Sequence, residues 1–392
     1  MRARLALLVA VASGLRVPPP PRASGVSRRR LLEQGSIAGL ATVSSLPLPA
    51  VADASSDIVR SISQSTLTAA LATAAPRDIV ITGANSGVGL AGAKILTAAG
   101  HRVTLACRTQ AKADAAAAAC ISYAASGAAR AGGTARGAEC DLSSLASVRA
   151  FADSLKGAKV DSLVLNAGVA RGTAQTEASR TSEGFEETIG VNHLGHFLLA
   201  SQLTPTLAAS ASPRLVVTAS PVHDPNSGGG NVGSTATLGD LSGLASGPSF
   251  SMVDGGVYDP DKAYKDSKLC NMMFMAEASR RLKPKGVTVN AFSPGLIADP
   301  NGFFRNQNQI FATIFNTITK AVGVAETNEF GGSALAYLAV DPVLDGVTGE
   351  WFDTLPPGKH QLAVHPPSDE ARNLESQRKL WALSSKLVGV EA

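Results

Sequence analysis

From Pro76 to Phe292 the apolar positions switch repeatedly between two rhythms. Short apolar runs at Asp78–Thr82, Arg102–Cys107, Gly137–Asp141, Ser162–Leu165, Leu215–Thr218 and Val287–Phe292 read as strands. Between them, Gly89–Ala99, the alanine-rich Ala111–Ala131, Leu145–Leu155, Val191–Leu207 and Ala263–Leu282 read as helices. Strand alternating with helix predicts a parallel sheet with right-handed crossovers, a doubly wound α/β fold. One segment breaks the rhythm. Residues 221–260, rich in Gly, Ser, Asn and Asp, carry little apolar periodicity. A stretch that long inside a compact domain points to a lid or binding loop.

The first 75 residues follow neither rhythm. Leu5 to Ala12 is a short apolar run behind two arginines, like the core of a secretory signal. A Pro-rich stretch and the run Arg28–Arg29–Arg30 come next, before a second mildly apolar stretch from Ile37 to Val51. That stretch ends in small residues, Ala50-Val51-Ala52 or Ala52-Asp53-Ala54, which suit a cleavage site. Acidic residues are nearly absent before Glu33. The pattern predicts a composite leader, signal-like and then transit-like, with an arginine run like a twin-arginine signal. It places a leader and linker at residues 1–75 and one domain at residues 76–392.

Composition narrows the chemistry. The 392 residues hold 35 Lys and Arg against 31 Asp and Glu, a net charge of +4. No basic face is interleaved with aromatics, which argues against a nucleic-acid partner. The four cysteines, Cys107, Cys120, Cys140 and Cys270, show neither a CxxC spacing nor a Cys/His cluster, so buried free thiols are expected and no metal site.

Chemistry gathers at the strand ends. Thr82-Gly83-Ala84-Asn85-Ser86-Gly87-Val88-Gly89 follows the first strand and opens the first helix. Its glycines permit a tight turn and let backbone amides approach a pyrophosphate at a helix N-terminus, the dinucleotide-binding arrangement of a Rossmann fold. The second strand ends in Ala106-Cys107-Arg108-Thr109, where an acid would hydrogen-bond the ribose of NAD. Arg108 offers a planar fork suited to a 2′-phosphate instead, so NADPH is the expected cofactor. Tyr264 and Lys268, four apart, fall on one helix face, where an ammonium is expected to lower the phenol's pKa and ready it for proton transfer. Ser220 follows the fifth strand.

Together these residues resemble the short-chain dehydrogenase/reductase family from about Asp78 to the C-terminus. The resemblance assigns cofactor contacts to Gly83, Asn85, Ser86, Gly87, Val88 and Gly89. It adds Asp141 and Leu142 near the adenine, Asn166-Ala167-Gly168 after the fourth strand, and Pro294-Gly295 beside the nicotinamide. The catalytic set it implies is Asn192, Ser220, Tyr264 and Lys268, with Lys268 also holding the ribose. Within the family the chain is most similar to the light-dependent protochlorophyllide oxidoreductases. The similarity rests on 190–199 (Gly-Val-Asn-His-Leu-Gly-His-Phe-Leu-Leu), Gly230-Asn231-Val232, Leu238-Gly239-Asp240-Leu241, Met252-Val253-Asp254-Gly255-Gly256, 262–272 around Tyr264, and a C-terminal helix over Leu380–Gly389. This branch implies a tetrapyrrole pigment as substrate in a plastid, a pigment pocket built from 221–260, peripheral thylakoid contact and homo-oligomerisation.

One position departs from the branch. Where it reads Tyr-Pro-Gly-Cys, this chain reads Ser293-Pro294-Gly295-Leu296. Leu296 cannot donate a proton and Ser293 cannot stack, so a different substrate stays in view. A light-independent carbonyl reductase of a retinoid- or carotenoid-like lipid is one alternative, and a catalytically idle NADPH-binding sensor is another. His193 and His196, three apart without a third ligand at metal spacing, are expected to pack the helix or line the pocket. Phe303, Phe304, Phe311 and Phe315 are expected either in the core or as an apolar wall over a flat substrate.

Overall fold

The computed structural model describes residues 62–127, 129–297, 319 and 323–391. Among these, nine strands form one sheet: β1 Ile62–Ser63, β2 Asp78–Thr82, β3 Arg102–Cys107, β4 Thr134–Glu139, β5 Ser162–Leu165, β6 Arg214–Thr218, β7 Thr288–Phe292, β8 Trp351–Thr354 and β9 Gln361–Val364. Their order is β1-β9-β8-β7-β6-β5-β2-β3-β4. β2 to β8 pair in parallel, while β9 and β1 add an antiparallel edge. The direction of winding reverses between β2 and β5, and ligands of such sheets bind in the crevice this reversal opens at the strand C-termini.

The main helices are α1 Gln64–Thr73, α2 Gly87–Ala98, α3 Gln110–Ala125, α4 Leu145–Ser154, α5 Gly195–Ala208, α6 Pro260–Leu282, α7 Asn328–Val340 and α8 Leu374–Val388. Strand residues alternate between two cores. Ile79, Ile81, Leu105, Val164, Val216 and Phe352 face α1, α2, α3 and α7. Val80, Leu163, Leu165, Leu215, Val217 and Trp351 face α4, α5, α6 and α8. Burial on both faces is why these strands read as unbroken apolar runs. The four cysteines are free and buried.

The structure corrects the domain start. Ile62 and Ser63 pair with Leu362 and Gln361, and Leu67, Leu71 and Ala74 of the following segment are fully packed. The folded domain therefore includes at least 62–75, and the rest of the expected leader lies outside the described residues. The expected helix at Val191–Leu207 starts instead as a π-helical turn, Gly190–Leu194, before α5. Catalytic helix α6 begins three residues earlier than expected, where the Asp259 carboxylate caps the amides of Asp261 and Lys262 at 2.9 and 3.1 Å.

Residues 221–260 contain only a 3-10 turn, Pro221–His223, and one helical turn, Ser242–Ala245, yet they are pinned down. Asp266 accepts from the Thr237 amide at 3.0 Å, and the Lys262 ammonium donates to the Thr237 carbonyl at 2.7 Å. Lys265 donates to the carbonyls of Val232 and Ser234, and the Leu238 amide donates to Glu370 at 2.7 Å. Helix α6 thus holds the insert and the Tyr/Lys pair on one rigid rod.

Candidate active site

A cleft of about 1970 Å³ runs along the C-terminal ends of β2 to β8. Single-ligand pockets occupy roughly 300–1,000 Å³, so this cleft has room for a dinucleotide and a second bulky molecule. Of the residues expected to form the site, all but Asn192 line it.

The glycines of the first turn have three separate causes. Gly83 has φ +65°, and a Cβ there would lie 2.7 Å from Ala167 Cα. Gly87 also has positive φ, at +54°. A Cβ on Gly89 would sit 2.5 Å from Asn166 Nδ2 and 2.7 Å from the Gly83 carbonyl oxygen. These close approaches bring α2 against the end of β5 and leave its first amides facing the cleft, because the Ser86 side chain does not cap them. Asn166 fixes the opposite wall: its amide donates to Thr82 Oγ1 at 2.9 Å and its side chain to the Thr82 carbonyl at 2.9 Å. Asp141 accepts from the Ser143 amide and hydroxyl at 3.0 and 2.7 Å.

At the end of β3, Arg108 is exposed and lines the cleft, and exposed Lys112 joins it from the first turn of α3. Sequence reasoning missed Lys112, although its four-residue spacing from Arg108 on a helix-opening segment was a usable signal. An uncapped helix N-terminus, a glycine cradle with no space for a Cβ and two free-standing cations fit a dinucleotide carrying a 2′-phosphate.

Tyr264 is half-buried one turn from Lys268, whose ammonium lies 5.5 Å from the centre of the phenol ring and donates to the Thr218 carbonyl at 3.3 Å. Burial lowers Lys268 to about 8 and pushes the Tyr264 phenol up. Desolvation, rather than the neighbouring ammonium, thus sets the direction for the phenol, contrary to the expected lowering. Ser220 lines the cleft, and its hydroxyl accepts from the Val222 amide at 3.4 Å.

Asn192 lies behind this centre, fully buried in the π-helical turn. Its side chain accepts from the Val169 amide at 2.8 Å and donates to the Val169 carbonyl and Ser267 Oγ, each at 3.0 Å. Its own carbonyl is engaged by His196 Nδ1 at 3.1 Å. Asn192 therefore braces the wall that carries Gly168 from behind the cleft. His196 Nε2 meets Thr82 Oγ1 at 2.9 Å, and His193 Nε2 meets Ser384 Oγ of α8 at 2.8 Å. Burial holds both rings neutral, with pKa values of about 4 and about 3, so they are packing residues tied to particular hydrogen bonds.

Beyond Tyr264 the cleft is walled by the start of the insert, by Pro294 to Ile297 and by the ends of β8 and β9. Leu296 lines it. Ser293 is fully buried beneath the turn, where its hydroxyl accepts from the Gly295 amide at 3.1 Å. Arg171, Asn328, Asp353 and His365 also line the cleft and were not anticipated. Phe303, Phe304, Phe311 and Phe315 lie outside the described residues.

The family model for short chain dehydrogenases matches residues 77–235. A protochlorophyllide reductase A of Hordeum vulgare is 42% identical over 326 residues, 80% of each chain. A protochlorophyllide reductase B of Oryza sativa is 41% identical over 328 residues, 79% of this chain and 77% of that one. Among solved structures, an uncharacterised protein of Mycobacterium paratuberculosis superposes with a TM-score of 0.58 at 27% identity, covering 82% of this chain and 97% of its own. The L-sorbose reductase of Gluconobacter frateurii, complexed with NADPH and L-sorbose, shares the fold at a TM-score of 0.54 and 18% identity, covering 74% and 98%. The chain is an oxidoreductase that belongs to the short-chain dehydrogenase/reductase family, among the protochlorophyllide reductases.

Proposed function

We propose that this chain reduces protochlorophyllide to chlorophyllide with NADPH, driven by light absorbed in the pigment. The observation that carries the reading is one cleft large enough for two bulky molecules, with the Tyr264/Lys268 pair between its halves. The glycine turn, Asp141-Leu142 and Asn166-Ala167-Gly168 hold the dinucleotide, and Arg108 with Lys112 takes its 2′-phosphate. NADPH, when bound, supplies the hydride. Tyr264 gives the proton from its hydroxyl to the neighbouring carbon, so one carbon–carbon double bond gains both hydrogens. Lys268 holds the ribose and, once charged, favours the phenolate that remains. Ser220 orients the pigment.

The chloroplastic relatives support a plastid setting, with residues before Ile62 as the targeting leader. No helix among the described residues is long and apolar enough to cross a membrane. Thylakoid contact in this reading is peripheral. Leu296 at a position facing the substrate favours one second reading, a light-independent reduction of an apolar lipid carbonyl. The deciding experiment mixes a chain starting near Asp57 with NADPH and protochlorophyllide and follows absorbance in darkness and after a flash. Conversion only after the flash is expected. No conversion in light, with NADPH demonstrably bound, would overturn the pigment reading and leave the reductase.

A further inference from the structure

We infer that Asp353 anchors the substrate, its carboxyl facing the pigment half of the cleft and hydrogen-bonding an oxygen on the rim of the bound macrocycle. The inference rests on the tetrapyrrole reading above. Register places the residue. Ala291 and Phe292 of β7 pair with Trp351 and Phe352 of β8, so Asp353 is level with Ser293, and Thr218 of β6 pairs with Phe292. Asp353 therefore stands one strand beyond the turn carrying Leu296 and two strands from Ser220, on the shelf where parallel sheets hold their ligands.

It lines the cleft although only 4% of it is exposed, so its carboxyl is shielded from bulk water at the cleft wall, with one oxygen accepting from the Thr354 amide. A carboxyl in such a place is retained at a desolvation cost, and perturbed acids in clefts mark functional positions. Burial pushes it up to about 6; the Thr354 amide at 2.8 Å, His365 just past β9 and the Ser293 side chain just past β7 pull the other way without cancelling the burial. His365, which lines the same cleft, is its titratable neighbour. A protonated carboxyl offers one O–H donor, which suits a keto or carboxyl oxygen of the pigment. Leu296 offers no donor where the related branch carries a cysteine, and Asp353 places one a strand further along the shelf.

The test is dark binding of protochlorophyllide to the NADPH complex, followed by absorbance from pH 5 to pH 8. Wild type, Asp353→Asn and Asp353→Leu are compared. Because the donor is lost on ionisation, wild-type affinity should fall roughly three- to tenfold across that range, the worth of one neutral hydrogen bond. Asp353→Asn keeps a donor that does not titrate, so it should stay flat near the wild-type value at low pH. Asp353→Leu should be weak throughout, with NADPH affinity unchanged in all three. The Asn variant will fold. A carboxyl raised above its unfolded value loses stability as pH climbs from about 4 through 6, and the amide removes that loss. The same pH slope in Asp353→Asn would assign the titration to His365 or to the pigment's own carboxylate and overturn the anchor alone. No pigment binding by wild type at any pH would overturn the pigment reading along with it.

Discussion

The two halves of the cleft are built by opposite means. The nucleotide half is made from backbone and from exposed charge: glycines at 83, 87 and 89, the open N-terminus of α2, and the solvent-facing Arg108 and Lys112. The substrate half is made from half-buried and buried side chains brought together from distant segments, among them Tyr264 from α6, Asp353 from β8 and the pinned insert. A phosphate-bearing ligand needs donors and positive potential, which backbone and surface cations provide at small folding cost. Proton transfer and pigment recognition need groups removed from water, where their interactions are stronger and their pKa values shift.

This difference predicts unequal damage. Tyr264→Phe removes only the hydroxyl, so NADPH binding and the fold should persist while light-driven turnover falls by about 10²–10⁴-fold. Single-turnover absorbance after a flash reads the loss, and an unchanged rate would remove Tyr264 from the proton step. Arg108→Ala acts on the other half. It should weaken NADPH by roughly ten- to hundredfold, the worth of a charge-assisted contact, while leaving NADH affinity and pigment binding as they were. Equal weakening of both nucleotides would mean that the arginine supports the wall rather than the 2′-phosphate.

The same contrast explains what the sequence revealed. The nucleotide half depends on contiguous residues, so the strand, glycine turn, helix and Arg108 are all visible within Asp78 to Thr109. Tyr264 and Lys268 are visible because helix geometry converts a spacing of four into a shared face. Helix α7 left no amphipathic signal because everything from Phe330 to Val340 is buried, and Gly332 packs where a Cβ would lie 2.6 Å from the Gly92 amide nitrogen of α2. Strands β8 and β9 are four residues each and sit beyond a long break in the rhythm, so Asp353 and His365 had no local signature. Asn192 lies where the resemblance puts it, but that its side chain holds Val169 and Ser267 from behind the centre depends on packing that no motif spells out. Burial likewise overrode the simple expectation for Tyr264, since a neighbouring ammonium that is itself desolvated tends to lose its proton first.

The smallest expected effect is the most discriminating. Lys112 stands one helical turn from Arg108, exposed and facing the same end of the cleft. Lys112→Ala removes a solvated point charge, whose interaction with an exposed partner is typically worth about 0.2–1 kcal/mol, so NADPH affinity should drop only about two- to fivefold. Salt should erase this effect. At 1 M ionic strength the screening length is about 3 Å, and wild type and Lys112→Ala should then bind NADPH almost equally. Arg108→Ala should keep part of its deficit at high salt, because the guanidinium also forms directed hydrogen bonds to the phosphate. The Tyr264→Phe defect should not move with salt at all, since its partners are buried. Titrating NADPH against the single variants and the double variant at low and high salt checks the whole pattern. A salt-resistant Lys112 deficit would mean that its ammonium contacts the nucleotide directly, and the nucleotide half would then owe less to diffuse surface charge than its exposure suggests.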